Sequence, residues 1–188
     1  MTSLPHLLSA ILFLTLASCS SPVNFYVLSP AGAPSTGDGP GIGVGPVTMA
    51  RYLTERPALV FQSSSNKMEL TDEHVWAGDL EHDFARVLAS NLGRRLGTGN
   101  TRVYPWTSEE GMDHQVVVDV RQFHGTPDGA AVLEASWRAY QLPESRLLTS
   151  RSTILREPLE QDGFEALAAA QSRLVDRLAR VIATTLRQ

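Results

Sequence analysis

The sequence predicts an α+β fold: a mixed, mostly antiparallel sheet with two main amphipathic helices packed on one face. Three observations carry that prediction. Residues 80–96 and 163–186 repeat apolar side chains every three or four positions, the period of a helix with one buried face. Stretches near 114–123, 131–140 and 146–155 alternate apolar with polar residues, the period of a strand with one wet face. Short connections rich in turn residues join those strands and make neighbours antiparallel.

The elements follow in order. Asn24-Phe-Tyr-Val-Leu-Ser29 is an aromatic and β-branched run stopped by Pro30, the signature of a short strand. Residues 30–41, mostly Pro, Gly, Ala, Ser and Thr, are expected to form a flexible tether. Gly41-Ile-Gly-Val-Gly-Pro-Val47 looks like a phosphate loop, but such a loop needs a strand before it and a helix N-terminus after it. A loop precedes it here, and Pro46 removes a backbone donor. A strand carrying Ile42 and Val44 and extending as far as Val47 is expected instead. Thr48–Pro57 is read as a turn or short helix, followed by a strand at 58–62 with its partner at 67–71.

Asp79 is the predicted cap of the helix at 80–96, with Leu80, Phe84, Val87, Leu88, Leu92 and Leu96 on its apolar face. Arg94 and Arg95 suit its last turn, and Gly97 ends it. Gly93 costs about 1 kcal/mol of helix propensity, which calls for close packing or a frayed final turn. Residues 101–106 form a short strand stopped by Pro105, ahead of the three alternating strands. The last helix buries Phe164, Leu167, Leu174, Val175, Leu178, Ile182 and Leu186. Arg173, Arg177 and Arg180 lie opposite as a cationic stripe, either a solvated face or a contact for an acidic protein or anionic headgroups.

The N-terminus sets the compartment. Leu7 to Ala17 is apolar and uncharged, too short to span a bilayer but of the length of a signal's apolar core. It ends in Leu16-Ala-Ser-Cys19, which resembles the bacterial lipobox, although Met1–His6 contains no Lys or Arg. The expected organisation is a lipoprotein signal over residues 1–18 and a single periplasmic domain over 19–188. Cys19, the sole cysteine, is the expected lipid attachment site. Ser20 in place of Asp resembles the outer-membrane sort. Two or three acyl chains on one residue hold far more strongly than the marginal binding of one myristoyl group.

Composition excludes little beyond nucleic acid. A formal net charge of −4 provides no basic footprint. Apolar residues at 43% and charged residues at 19% are ordinary for a globular domain. No catalytic constellation can be assembled, so the protein is expected not to be an enzyme, and no metal or cofactor is expected. His74, His82, His114 and His124 contain no i, i+4 ligand pair. Asp72-Glu-His74 is read as a solvated turn, and no Gly-x-Ser-x-Gly elbow occurs. Trp137 is expected in the core. Trp76 and Trp106, at element junctions, are candidate interface rings, and Tyr52, Arg56 and the three arginines of the stripe complete the candidate partner contacts.

As an ordered set, several motifs resemble one family. Gly43-Val-Gly-Pro-Val47, Tyr52-Leu-x-x-Arg56-Pro57, Trp76, Phe84…Val87-Leu-Ala-x-Asn91-Leu92 and Tyr104-Pro-Trp106 are similar to the PqiC (YmbA) family of ABC-type transport auxiliary lipoproteins. The chain departs from that pattern at Thr48-Met-Ala-Arg51. The resemblance implies an outer-membrane partner of an MCE-domain or ABC transporter system that carries phospholipid between membranes. It brings no catalytic residues with it. A ring-shaped partner would be matched by a symmetric homo-oligomer. Two other classes stay open: a structural envelope lipoprotein with no lipid-handling role, and a periplasmic hydrolase.

Overall fold

The structure is a computed structural model that describes residues 22–187. The expected signal, the lipobox-like motif and Cys19 lie outside the described residues. The elements are β1 (Asn24–Tyr26), β2 (Ile42–Met49), α1 (Arg51–Thr54), β3 (Ala58–Ser64), β4 (Lys67–Trp76), α2 (Leu80–Leu96), β5 (Thr101–Val103), β6 (His114–Thr126), β7 (Ala130–Gln141), β8 (Arg146–Pro158) and α3 (Phe164–Leu186).

β6 organises the sheet. One side pairs antiparallel with β7 along its whole length, and β7 pairs likewise with β8. The other side is divided end to end. β2 runs parallel to its first half, from Ile42↔His114 to Met49↔Val120, with β5 outside β2. β3 meets its far end at Phe61↔Gly125, with β4 and then β1 beyond. The long hairpins make most of the pairing antiparallel, while β1, β2, β3 and β5 contribute the parallel contacts that make the sheet mixed.

α2 and α3 pack against each other and against one face of this sheet. Phe84, Leu88 and Leu92 of α2 and Leu174, Leu178 and Ile182 of α3 are completely buried. They meet Val116, Val118, Val120, Phe123, Leu133 and Trp137 from the sheet. Each such side chain contributes about 1.5–3 kcal/mol by leaving water. The Asp79 carboxylate accepts from the His82 amide at 2.7 Å and caps α2, and Gly97 ends it at φ +70°. Gly93 is explained by close packing: a methyl group there would lie 2.7 Å from Thr101 Cγ2.

Two local expectations are corrected. Residues 30–41 are not a loose tether. Ala31 donates its amide to the buried Asn91 Oδ1 at 2.9 Å, Gly39 donates to the Gly97 carbonyl at 3.0 Å, and Gly41 donates to Asp113 Oδ2 at 2.7 Å. Small residues let this strap lie directly on the end of α2 and the loops beside it. Asp72-Glu73-His74 is not a turn either but the last part of β4, which continues to Trp76. β1 pairs there, Asn24↔His74 to Tyr26↔Trp76, so the first strand is docked on the domain.

Candidate interaction surfaces

The glycines of β2 carry an aromatic shelf. The Trp106 ring sits over Gly43, where a methyl group would meet Cη2 at 3.0 Å and Met112 Sδ at 3.1 Å. Gly45, at φ +127°, faces Tyr104 so closely that its Cβ would lie 2.5 Å from the Tyr104 Cβ. Tyr104 and Trp106 meet edge to face, centroids 5.4 Å apart, and Tyr104 is 49% exposed. The run that looked like a phosphate loop therefore provides flat backbone for two rings. Tyr104 also borders a cleft of about 240 Å³ with Asp79, Glu81 and His82 at the start of α2.

The other sequence candidates separate. Trp76 is 4% exposed and stacks at 6.5 Å on Phe123, so it is a core residue and its ring is not available to a partner. The interface reading of Trp76 is corrected accordingly: β4 runs past the expected loop and carries the ring inward. Arg56 is exposed and pairs with Asp72 on β4. Tyr52 is half-buried and donates its hydroxyl to the Arg121 carbonyl at 3.0 Å. Burial first, and then the Glu134 carboxylate, push its phenol up to about 12. Its ring covers His124, centroids 6.3 Å apart. His124 is wholly buried, and burial holds its pKa below the usual histidine range despite the Gly125 carbonyl on Nδ1.

The arginine stripe is internally paired rather than free. Arg173 Nε and Arg177 Nη1 reach opposite oxygens of Glu157 on β8 at 2.9 and 3.0 Å, and Arg173 also reaches Glu160 at 3.2 Å. Those two arginines brace α3 to the edge strand. Arg180, 66% exposed, is the most accessible of the three. The sequence reading missed Asp176, which is only 13% exposed and accepts from Arg94 at 3.0 Å and Arg95 at 2.5 Å. It ties α2 to α3. Two adjacent arginines at the end of a helix were the available signal, but the helix dipole accounted for them equally well.

A further surface escaped the sequence reading. Val23, Phe25 and Val27 are 48, 69 and 55% exposed, spaced two residues apart along and just beyond β1. Phe25 and Val27 border a groove of about 670 Å³ shared with Glu165, Ala168 and Ala169 of α3. Among the described residues no group of three or more His, Cys, Asp or Glu side chains is placed to hold a metal. No described helix is long and apolar enough to cross a membrane.

The sequence profile of the ABC-type transport auxiliary lipoprotein component matches residues 26–183. The chain belongs to this family. The intermembrane transport lipoprotein PqiC of Escherichia coli strain K12 is 25% identical over 119 residues, 63% of this chain and 57% of that protein. The PqiC of Shigella flexneri matches to the same extent. The matched stretch thus spans little more than half the length of these curated relatives. The crystal structure of an uncharacterized protein superimposes with a TM-score of 0.74 at 20% identity, covering 88% of this chain and 99% of that one. A Xanthomonas campestris protein superimposes at 0.67 and 15% identity, covering 87% and 94%. At these identities the two structures establish the fold alone.

The fold gives the motifs a physical meaning. Gly43-Val-Gly45 and Tyr104-Pro-Trp106, far apart in sequence, form one unit, the shelf. Trp76 and Phe84 belong to another, joined through Phe123, which Phe84 meets edge to face at 5.5 Å.

Proposed function

We propose that this protein is an outer-membrane-anchored periplasmic lipoprotein serving as an accessory subunit of an ABC/MCE-type system that moves phospholipid between membranes and so contributes to membrane integrity. The observation that carries this is the family match over residues 26–183 in a chain that presents Leu16-Ala-Ser-Cys19 immediately upstream. In this reading residues 1–18 are removed, Cys19 carries the acyl chains, and the remaining chain works by contact rather than by catalysis. The Tyr104–Trp106 shelf, Tyr52, Arg56 and Arg180 are its partner-facing candidates. Trp106 leads, because a partly exposed aromatic pair on a rigid backbone has the character of an interface anchor.

Purification of the acylated protein from native membranes tests this. Co-purification of an MCE-domain or ABC transporter protein together with phospholipid is the expected result. Recovery of neither ends the transport reading.

A further inference from the structure

We propose that Val23, Phe25 and Val27 form the seat on which the domain rests on the lipid leaflet, with their side chains among the headgroups and upper acyl chains. The inference rests on acylation of Cys19 in the function proposed above, and it specifies how the anchored domain is oriented.

Four observations converge. The three side chains are among the most exposed large apolar groups described, and they occur on one short segment at alternate positions. Tyr26, between them, turns the other way: its hydroxyl bonds His74 Nδ1 at 2.8 Å, so the segment is held in one orientation. Val23 lies four residues from Cys19, at most about 14 Å of extended chain. From Cys19 to Gly37 no side chain is charged at neutral pH, so nothing in this stretch resists the low-dielectric edge of a bilayer.

A second protein copy on the same patch would have to share the edge with the acylated residue itself. The leaflet is the occupant the anchor delivers there without further cost. Glu165, Arg173 and Asp176 all border the same groove, so its charge is mixed and gives the seat no preference for an anionic surface. A zwitterionic leaflet is therefore sufficient.

The test uses the acylated protein reconstituted in vesicles of phosphatidylethanolamine and phosphatidylcholine. Because lipidation converts the Cys19 thiol to a thioether, Phe25→Cys and Ile154→Cys each present one free thiol for a nitroxide label. Ile154, 67% exposed on β8, is the aqueous reference. The Phe25 label should collide several-fold more with oxygen, relative to a water-soluble nickel chelate, than the Ile154 label does. Equal water exposure at both sites, in a protein whose mass shows the acyl chains, overturns the seat and leaves the lipoprotein reading intact. A mass without acyl chains removes the anchor and the seat together. A Phe25 label shielded from both reagents and broadened by a neighbouring label assigns the patch to a second copy, and also overturns the inference.

Discussion

The Trp106 ring rests on the backbone of Gly43, so near that even a methyl group at position 43 would lie 3.0 Å from its Cη2. Glycine is favoured there by the ring above it, whereas at Gly45 both the Tyr104 Cβ and the positive φ require it. Gly43→Ala should displace Trp106 by a few tenths of an ångström and cost about 1 kcal/mol, since a partly exposed ring can give way. Gly45→Ala combines a φ of +127° with a 2.5 Å approach to Tyr104 and should cost about 3 kcal/mol. Urea midpoints and tryptophan emission of the two variants check the order. Equal effects would mean that the shelf is not rigid.

Asp176 contributes more to the stability of the α3 network than Arg180 does. Its removal leaves Arg94 and Arg95 against a largely buried site, and Asp176→Ala should lose about 2–3 kcal/mol, less than a fully buried pair because water reaches Arg94. Arg180→Ala, on an exposed side chain 3.9 Å away, should lose less than about 0.5 kcal/mol. Chemical denaturation of both variants provides the comparison, and a larger loss for Arg180→Ala would refute this ranking.

Stability should fall on mild acidification. The pKa values of His124 and His114 are both lowered from 6.5, in each case chiefly by burial. Below about pH 6.5 the unfolded chain takes up protons that these folded side chains refuse, so unfolding becomes easier as pH drops toward the depressed folded values. The stabilising effect is present above that window and is lost through it. Denaturation midpoints at pH 7.5 and 5.5 should show the loss, and His124→Gln should reduce the slope between them. An unchanged slope would mean that His124 titrates normally in the folded state.

The two junction tryptophans should behave oppositely. Trp76→Ala opens a cavity beside Phe123 and should cost about 3–5 kcal/mol. Trp106→Ala should leave the fold largely intact and weaken capture of the transport partner in the pull-down. Normal capture by Trp106→Ala removes the shelf from the contact surface.

The sequence disclosed what depends on local periodicity. The bounds of α2, its Asp79 cap and its Gly97 stop were readable because capping chemistry is local. The β6–β7–β8 meander was readable because its turns are short. The sharing of one side of β6 by β2 and β3 was not, since parallel pairing over long separations leaves no mark within a window of residues. The same holds for the site. Trp106 was singled out, but the reason for Gly43 beneath it came only with the fold. Trp76 was misplaced because β4 was expected to stop at Thr71. The strap at 30–41 was misjudged because Gly and Pro signal both a free linker and a chain laid tightly on a surface.

The divided side of β6 also dictates an order of events. Ile42 pairs with His114, and Asn24 pairs with His74, so the earliest strands to be synthesised have no partners until much later ones exist. The hairpins of β6, β7 and β8 close over short loops and can form early, while parallel pairings across long separations are slow to form. A chain emerging amino end first must therefore hold β2 unpaired until β5 and β6, in its second half, arrive. During that interval Ile42 and Val44, both fully buried in the finished sheet, are exposed and sticky. The vulnerable moment therefore lies before β6 has emerged.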